Sequence, residues 1–115
     1  MWPDLNKVRV MIRPGSTDMR KQINGLSAMV QNTMTEAPFS GDLYLFCGRD
    51  KTVIKAIFWD RNGFCLWVKR LEKGRFPWPD GEAAARQLSR AELGMLLDGI
   101  DFRNKFEKLS FRSVG

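Results

Sequence analysis

The feature that most constrains the fold is a pair of apolar segments joined by a short polar turn. Val53–Trp59 and Phe64–Leu71 flank Asp60–Gly63, a four-residue connection that contains Asn-Gly. Asn-Gly between two apolar runs is a strong signal for a β-hairpin. If Trp59 pairs with Phe64, both faces of the hairpin are apolar and both need cover. One face can take a helix, and the other needs a further element, a partner protein or stacked bases.

The N-terminal half predicts a strand, a long helix and a second strand. Val8, Val10 and Ile12 fall on one face of residues 7–12, which is the period of a half-buried strand. A helix is predicted over Asp18–Asn32, after the good N-caps Ser16 and Thr17. Its core-facing stripe consists of Met19, Ile23, Leu26 and Val30. Leu43–Cys47 is predicted as the next strand.

The C-terminal half predicts less regular structure before a short helix. Two prolines make residues 75–79 extended, and residues 82–87 are consistent with either a helix or a short strand. Ser89 and Glu92 form a capping box, so a short helix should follow through Leu97 and end near Gly99. The fold prediction is α+β, with a small, mostly antiparallel sheet of four to five strands. One long helix covers a face, and the short C-terminal helix closes an edge or an end.

Residues 1–103 are predicted to form this single domain, and residues 104–115 a basic tail that is frayed or disordered. The length of 115 residues fits one domain. No apolar run approaches the ~18 residues of a membrane span, and the first residues do not resemble a signal peptide. These features predict an intracellular protein.

Composition excludes several kinds of catalytic site. The chain has no histidine, which removes Ser-His-Asp and Cys-His arrangements. Two widely spaced cysteines, Cys47 and Cys65, cannot make a usual zinc site without histidine, and are interpreted as reduced core residues. Four acids could be imagined around a metal ion for phosphoryl chemistry: Asp18, Asp60, Asp98 and Asp101. Each has a simpler place in a helix first turn, a hairpin turn or a helix end.

Charge points to a polyanionic partner. Lys and Arg number 19 against 13 Asp and Glu, for a net charge of +6. Residues 49–75 hold eight of the cations and only three acids, with aromatic residues between them. Cations bind phosphates and flat rings stack on bases, as single-strand binders require. An ordinary aromatic core with a solvated basic rim explains the same pattern, and both interpretations stay open here.

Several blocks together resemble a known family. They are residues 17–21, 25–26, 38–41, 55–60, 63–76, 78–79, 88–93 and 97–101, of which Lys69–Phe76 is the most specific. Over Val8 to Arg103 the chain resembles the TnpB-type accessory protein of the insertion sequence 66 family, which is unrelated to the RNA-guided nucleases that share the TnpB name. Two departures stand out: Asp50 follows Arg49 where a second basic residue is common, and Phe102 stands where a tryptophan is common.

The resemblance implies a small bacterial, cytoplasmic protein that a mobile element encodes beside its transposase. Strand cutting is expected in that transposase, so the resemblance carries over no catalytic residue, metal or cofactor. The predicted function is a non-catalytic accessory role in transposition and DNA recombination, with DNA and the transposase as partners and a nucleoid-associated location if DNA is bound. Self-association is left open.

The predicted DNA-binding residues combine cations with tryptophans. They are Arg20, Lys21, Lys55, Arg61, Lys69, Arg70, Lys73 and Arg75, with Trp59, Trp67 and Trp78 as stacking or wedge contacts. One alternative is an adaptor that docks on the transposase without binding DNA, through a spare apolar sheet face. A second, disfavoured alternative is a metal-dependent nuclease-like enzyme.

Overall fold

The computed structural model describes residues 2–100. These residues contain a five-stranded sheet. Its strands are β1 (Val10–Ile12), β2 (Leu43–Cys47), β3 (Val53–Asp60), β4 (Gly63–Arg70) and β5 (Arg86–Leu88). Its helices are α1 (Ile23–Asn32) and α2 (Arg90–Leu97). The strand order is β4-β3-β2-β1-β5. The combination of this sheet with two helices confirms the α+β class. No helix in this part of the chain is long and apolar enough to cross a bilayer.

The hairpin is confirmed in the expected register. β3 and β4 are antiparallel and pair without interruption from Val53 opposite Arg70 to Asp60 opposite Gly63, which places Trp59 opposite Phe64. Arg61 turns the chain with a φ of 49°. A positive φ at the first turn residue suits the twist of a two-residue hairpin. Local turn chemistry and the apolar pattern therefore specify this part of the sheet.

The prediction of a mostly antiparallel sheet was wrong, because the sheet is mixed. β1 runs parallel to β2, with Val10 opposite Leu43 and Ile12 opposite Leu45. The pairs β1–β5, β2–β3 and β3–β4 are antiparallel. A parallel pair needs a long crossover connection, and α1 supplies it between β1 and β2. The ambiguous residues before α2 form the short strand β5, which closes the sheet beside β1.

The prediction of a long helix was also wrong, because α1 has ten residues and begins at Ile23. The preceding residues form a separate turn, in which the N–H of Lys21 donates to the oxygen of Asp18. Thr17 is held by the sheet, since its N–H donates to the oxygen of Cys47 at 2.8 Å. These contacts fix the segment against the strand ends, so it cannot continue the helix. Met19, expected on the helix stripe, packs from this turn instead.

Both faces of the sheet are covered from within the chain. Leu26 and Val30 of α1 pack on the face that carries Ile57. On the other face, Leu93 and Leu96 of α2 join a second cluster. That cluster also contains Phe76, Trp78 and Cys47, with Trp2, Leu5, Cys65 and Trp67 packed against it. The second face therefore needs neither a partner protein nor bases as cover.

The ends of α2 follow the sequence signals. The Ser89 side chain accepts from the Glu92 N–H, and the Glu92 side chain accepts from the Ser89 N–H, which completes the capping box. Gly99 adopts a φ of 75° and donates its N–H to the oxygen of Leu96. This left-handed residue ends the helix as predicted. Residues 101–115, including the predicted tail 104–115 and Asp101, lie outside the described residues.

Candidate nucleic-acid interface at one end of the sheet

Three segments meet at the end of the sheet where β2 ends, β3 begins and β4 ends. Thr17 reaches Cys47 through the main-chain bond described above, the N–H of Leu71 donates to Thr52 at 2.8 Å, and the N–H of Phe76 donates to Lys51 at 2.7 Å. Residues 16–22, 48–52 and 69–76 are therefore neighbours in space. This surface is called the basic end below.

Cations outnumber acids at the basic end. Its cations are Arg20, Lys21, Arg49, Lys51, Lys69, Arg70, Lys73 and Arg75. Its acids are Asp18, Asp50 and Glu72, which leaves an excess of five positive charges. Asp80 reaches in from a neighbouring turn to pair with Lys51 at 3.2 Å. With Asp80 counted, four excess positive charges remain at this end, which equals the net charge of residues 2–100.

Four of these cations are free to meet a ligand. Lys21, Arg49, Lys73 and Arg75 are exposed, and none lies within ion-pair distance of a carboxylate in residues 2–100. Arg70 pairs with Glu72 at 3.3 Å, and both side chains are exposed. Exposed pairs contribute little stability, so Arg70 can exchange this partner for another anion at small cost. The free cations lie on all three segments of the basic end.

Arg20 and Asp18 form a two-point ion pair on the same surface. The Arg20 Nη2 lies 2.7 Å from one carboxylate oxygen of Asp18, and its Nε lies 3.0 Å from the other. The main-chain N–H of Arg20 also donates to Asp18. These hydrogen bonds hold the pKa of the Asp18 carboxyl well below its ordinary value and raise the pKa of Arg20. The pair stiffens the turn that presents Lys21.

An open cavity of about 500 Å³ separates residues 16–20 from residues 48–53. Arg20 and Asp18 line one wall, and Arg49 and Asp50 line the other. Gly48 allows the walls to approach, because a Cβ at this position would lie 2.7 Å from the Cγ of Met19. The missing side chain of Gly48 therefore allows the segment before α1 to pack closely against the β2–β3 turn.

Lys55 and Lys69, both predicted to contact DNA, have structural partners instead. Lys55 is only 6% exposed and donates from Nζ to the main-chain oxygen of Lys21 at 2.9 Å. The predicted DNA contact at Lys55 would require this buried side chain to leave its main-chain partner. Lys69 donates from Nζ to the oxygen of Leu97 at 2.7 Å, at the end of α2. A cation at a helix C-terminus is favoured by the helix dipole.

Arg61 lies at the opposite end of the hairpin. It follows Asp60, whereas Arg70 pairs with Val53 at the far end of the same two strands. Seven residues of extended chain separate the two ends by about 24 Å. Arg61 also lies 3.9 Å from the carboxylate of Asp60. The structure therefore separates Arg61 from the other predicted cations.

The three predicted tryptophans do not share a surface. Trp59 lies at the hairpin end, with ring centroids 5.0 Å from those of Phe39 and Phe64. Trp67 lies on the opposite face of the sheet, where its ring centroid is 4.8 Å from that of Trp2. Trp78 is 1% exposed and donates its indole N–H to the oxygens of Arg13 and Gly15, so a stacking contact there would require the ring to leave the core. Trp78 belongs to the core, Trp67 packs against it, and Trp59 is half-buried at the hairpin end.

The acids considered for metal chemistry are dispersed. Asp18 is bound to Arg20, Asp60 is in the hairpin turn, and Asp98 is the C-cap of α2. Within residues 2–100, no three Cys, Asp or Glu side chains gather to hold a metal ion. Each described carboxylate of this set has a structural role of its own.

Arg49 was missing from the predicted contacts, although it is one of the four free cations. It lay in the basic window of residues 49–75, which was the available signal. Asp50 follows it where a second basic residue is common in the family, but no ion pair joins Asp50 to Arg49 among the described residues.

Fold and surface together define a small mixed-sheet α+β protein with one strongly basic end. Residues 8–107 match the family described as IS66 Orf2 like protein, and the chain belongs to that family. This membership indicates an accessory role in the transposition of an insertion sequence. The predicted family resemblance is confirmed.

Two relatives in Sinorhizobium fredii (strain NBRC 101917 / NGR234) show how far the similarity extends. The protein with the printed name uncharacterized protein y4hO is 42% identical over 115 residues, which cover all of both chains. Uncharacterized protein y4jC is 32% identical over 95 residues, covering 83% of this chain and 81% of the relative. No solved structure matches the chain.

Proposed function

We propose that this protein is a non-catalytic accessory factor of transposition that binds DNA through the basic end. The observation that carries the proposal is a group of exposed cations that have no carboxylate partner among residues 2–100: Lys21, Arg49, Lys73 and Arg75. Arg70 adds a cation whose partner Glu72 is exposed and exchangeable. Phosphates of a nucleic acid backbone are the ligands that such a surface attracts, since binding releases condensed counterions.

The transposase, not this chain, is proposed to cut the strands. Asp18, Asp60 and Asp98 are engaged in a turn pair, a hairpin turn and a helix cap. The chain contains no histidine to act as a general base near neutral pH. The basic end therefore supplies attraction and positioning in this proposal, and the element-encoded transposase supplies the chemistry.

A titration of DNA binding against salt tests the proposal. With four free cations, log Kd should change with log salt with a slope of about 4 for duplex DNA. Fluorescence anisotropy with element-end and random duplexes and with a single strand would measure the slope and any preference. Absence of binding to all three at low salt would contradict the proposal.

Two double variants with the same change in net charge locate the contact surface. Lys73→Gln with Arg75→Gln should lower the slope by about 2, because two phosphate contacts are lost. Lys7→Gln with Arg61→Gln is the matched control, since both side chains are exposed and neither belongs to the basic end. An equal loss in the two variants would show that charge acts without a defined surface.

A second candidate function is docking on the transposase, and one exposed aromatic side chain favours it. Phe39 is 64% exposed and packs against Trp59 and Phe64 at the hairpin end, away from the basic end. Co-purification with the transposase that is lost in Phe39→Ser but kept in Lys73→Gln with Arg75→Gln would support an adaptor. The reverse pattern would contradict it.

A further inference from the structure

Within the described residues, the outer side of β4 is an open sheet edge. β4 is at the end of the strand order, and within residues 2–100 it pairs only with β3. It is eight residues long, contains no proline and pairs without a bulge. Proteins ordinarily protect such edges with short strands, prolines, charges or bulges. β4 carries charges only at its last two positions, Lys69 and Arg70, whereas β5 at the opposite edge has only three residues and begins with Arg86.

The main-chain groups that face outward from β4 can be assigned from one hydrogen bond. The N–H of Leu71 donates to the oxygen of Thr52, so these two residues form a hydrogen-bonded pair. Such pairs alternate along an antiparallel ladder. The main-chain N–H and C=O groups that point away from β3 therefore belong to Phe64, Leu66, Val68 and Arg70. Val68 is also 52% exposed, which is unusual for an aliphatic side chain in a sheet.

We propose that β4 pairs antiparallel with β4 of a second copy of this chain, across a two-fold axis at Trp67. This is the antiparallel register in which all four outward residues pair with one another. Leu66 then lies opposite Val68 of the second copy, and Phe64 lies opposite Arg70 of the second copy. The two sheets become one sheet of ten strands.

The strand is complementary to itself in this register. Aliphatic side chains oppose each other in the middle, and a ring meets a guanidinium at each end, which is a favourable cation–π arrangement. Lys69 and Arg70 of the two copies lie at opposite ends of the ladder, so like charges are not juxtaposed. The two-fold uses both β4 edges, and among the described residues it leaves only the short β5 edges, so the assembly closes as a dimer.

The oligomeric state without DNA tests this proposal separately from the proposed function. Sedimentation equilibrium of the full chain should show a reversible dimer of twice the monomer mass. Val68→Pro should weaken dimerisation by about tenfold or more, because it removes an outward N–H that would donate to the second copy. The two-fold axis repeats this loss, so the dimer loses two hydrogen bonds. Val68→Lys, which places a charge on the edge, should have the same direction of effect if the proline variant folds poorly.

A matched control separates the edge from general surface polarity. Ile100 is 51% exposed, close to the value for Val68, and lies outside β4. Ile100→Lys changes charge and exposed apolar surface in the same way and should leave the dimer constant unchanged within about twofold. An equal effect of the two lysine variants would overturn the proposal.

Amide hydrogen exchange provides the direct test of the register. Exchange at Phe64, Leu66, Val68 and Arg70 should slow as protein concentration rises, whereas the inward amides of Cys65, Trp67 and Lys69 should be protected at every concentration. Monomer mass throughout the series would overturn the dimer, and concentration-independent protection of the outward amides would show that another part of the chain covers the edge. Assemblies that grow beyond two copies would overturn the closed two-fold.

Discussion

The ammonium group of Lys55 donates a hydrogen bond to the main-chain oxygen of Lys21, 2.9 Å away and 34 positions earlier in the chain. Lys55 is buried in the middle of β3, whereas the side chain of Lys21 is exposed. The bond ties the turn before α1 to the sheet. Lys55 therefore positions the segment that carries Lys21, although the sequence analysis assigned both lysines to the same DNA surface.

Replacing the two lysines should separate these roles. Lys55→Met should lower the free energy of unfolding by about 1–2 kcal/mol, because the Lys21 oxygen loses its donor. Lys21→Ala retains that oxygen, so its effect on stability should stay within about 0.5 kcal/mol. Urea denaturation followed by circular dichroism would measure both. A Lys21→Ala variant as unstable as Lys55→Met would contradict this assignment.

The close approach of Met19 to Gly48 predicts a coupled pair. Gly48→Ala should destabilise the protein by about 1–3 kcal/mol, because the new Cβ would overlap the Met19 side chain. In a Met19→Ala background the same substitution should cost much less, since the overlapping Cγ is gone. A double-mutant cycle from denaturation midpoints measures the coupling energy. Additive effects would show that the two segments adjust independently.

The two free cysteines should differ in reactivity. Burial raises the pKa of the Cys47 thiol to about 12, so little reactive thiolate exists near neutral pH. Cys65 is half-buried at the hairpin. A disulfide reagent should therefore modify one thiol in the native protein and two in urea. Cys65→Ser should abolish the native reaction and Cys47→Ser should leave it, and rapid native labelling of Cys47 would contradict the packing described here.

The Asp18–Arg20 pair predicts a carboxyl that titrates at unusually low pH. Arg20 lowers the pKa of Asp18 in the folded state, so the pair stabilises the fold above the unfolded pKa of about 4 and loses that contribution as the pH falls through the folded value. NMR titration of the Asp18 carboxyl would measure this pKa. Arg20→Gln should raise it toward the ordinary value, and Arg49→Gln across the cavity should not. A wild-type Asp18 with an ordinary pKa would show that the pair does not form in solution.

The hairpin, the ends of α2 and the basic window were predictable because neighbouring residues specify them. The turn at Asp60–Gly63 and the apolar runs on both sides of it specify the register of β3 and β4. Ser89 and Glu92 are three residues apart and cap each other across a single turn. The core-facing positions of α1 from Ile23 onward follow a helical period. In each case the interacting groups are close in sequence, so the pattern carries the information.

The sequence alone determined a β-hairpin with two apolar faces, a capped C-terminal helix and an excess of positive charge centred on residues 49–75. Only the tertiary structure decided that β1 runs parallel to β2, that α1 starts at Ile23, and that Lys55 and Trp78 are buried while Arg49 is free. The physical reason is the distance along the chain between the groups involved. Lys55 meets Lys21, and Trp78 meets Arg13, only after the sheet has brought them together.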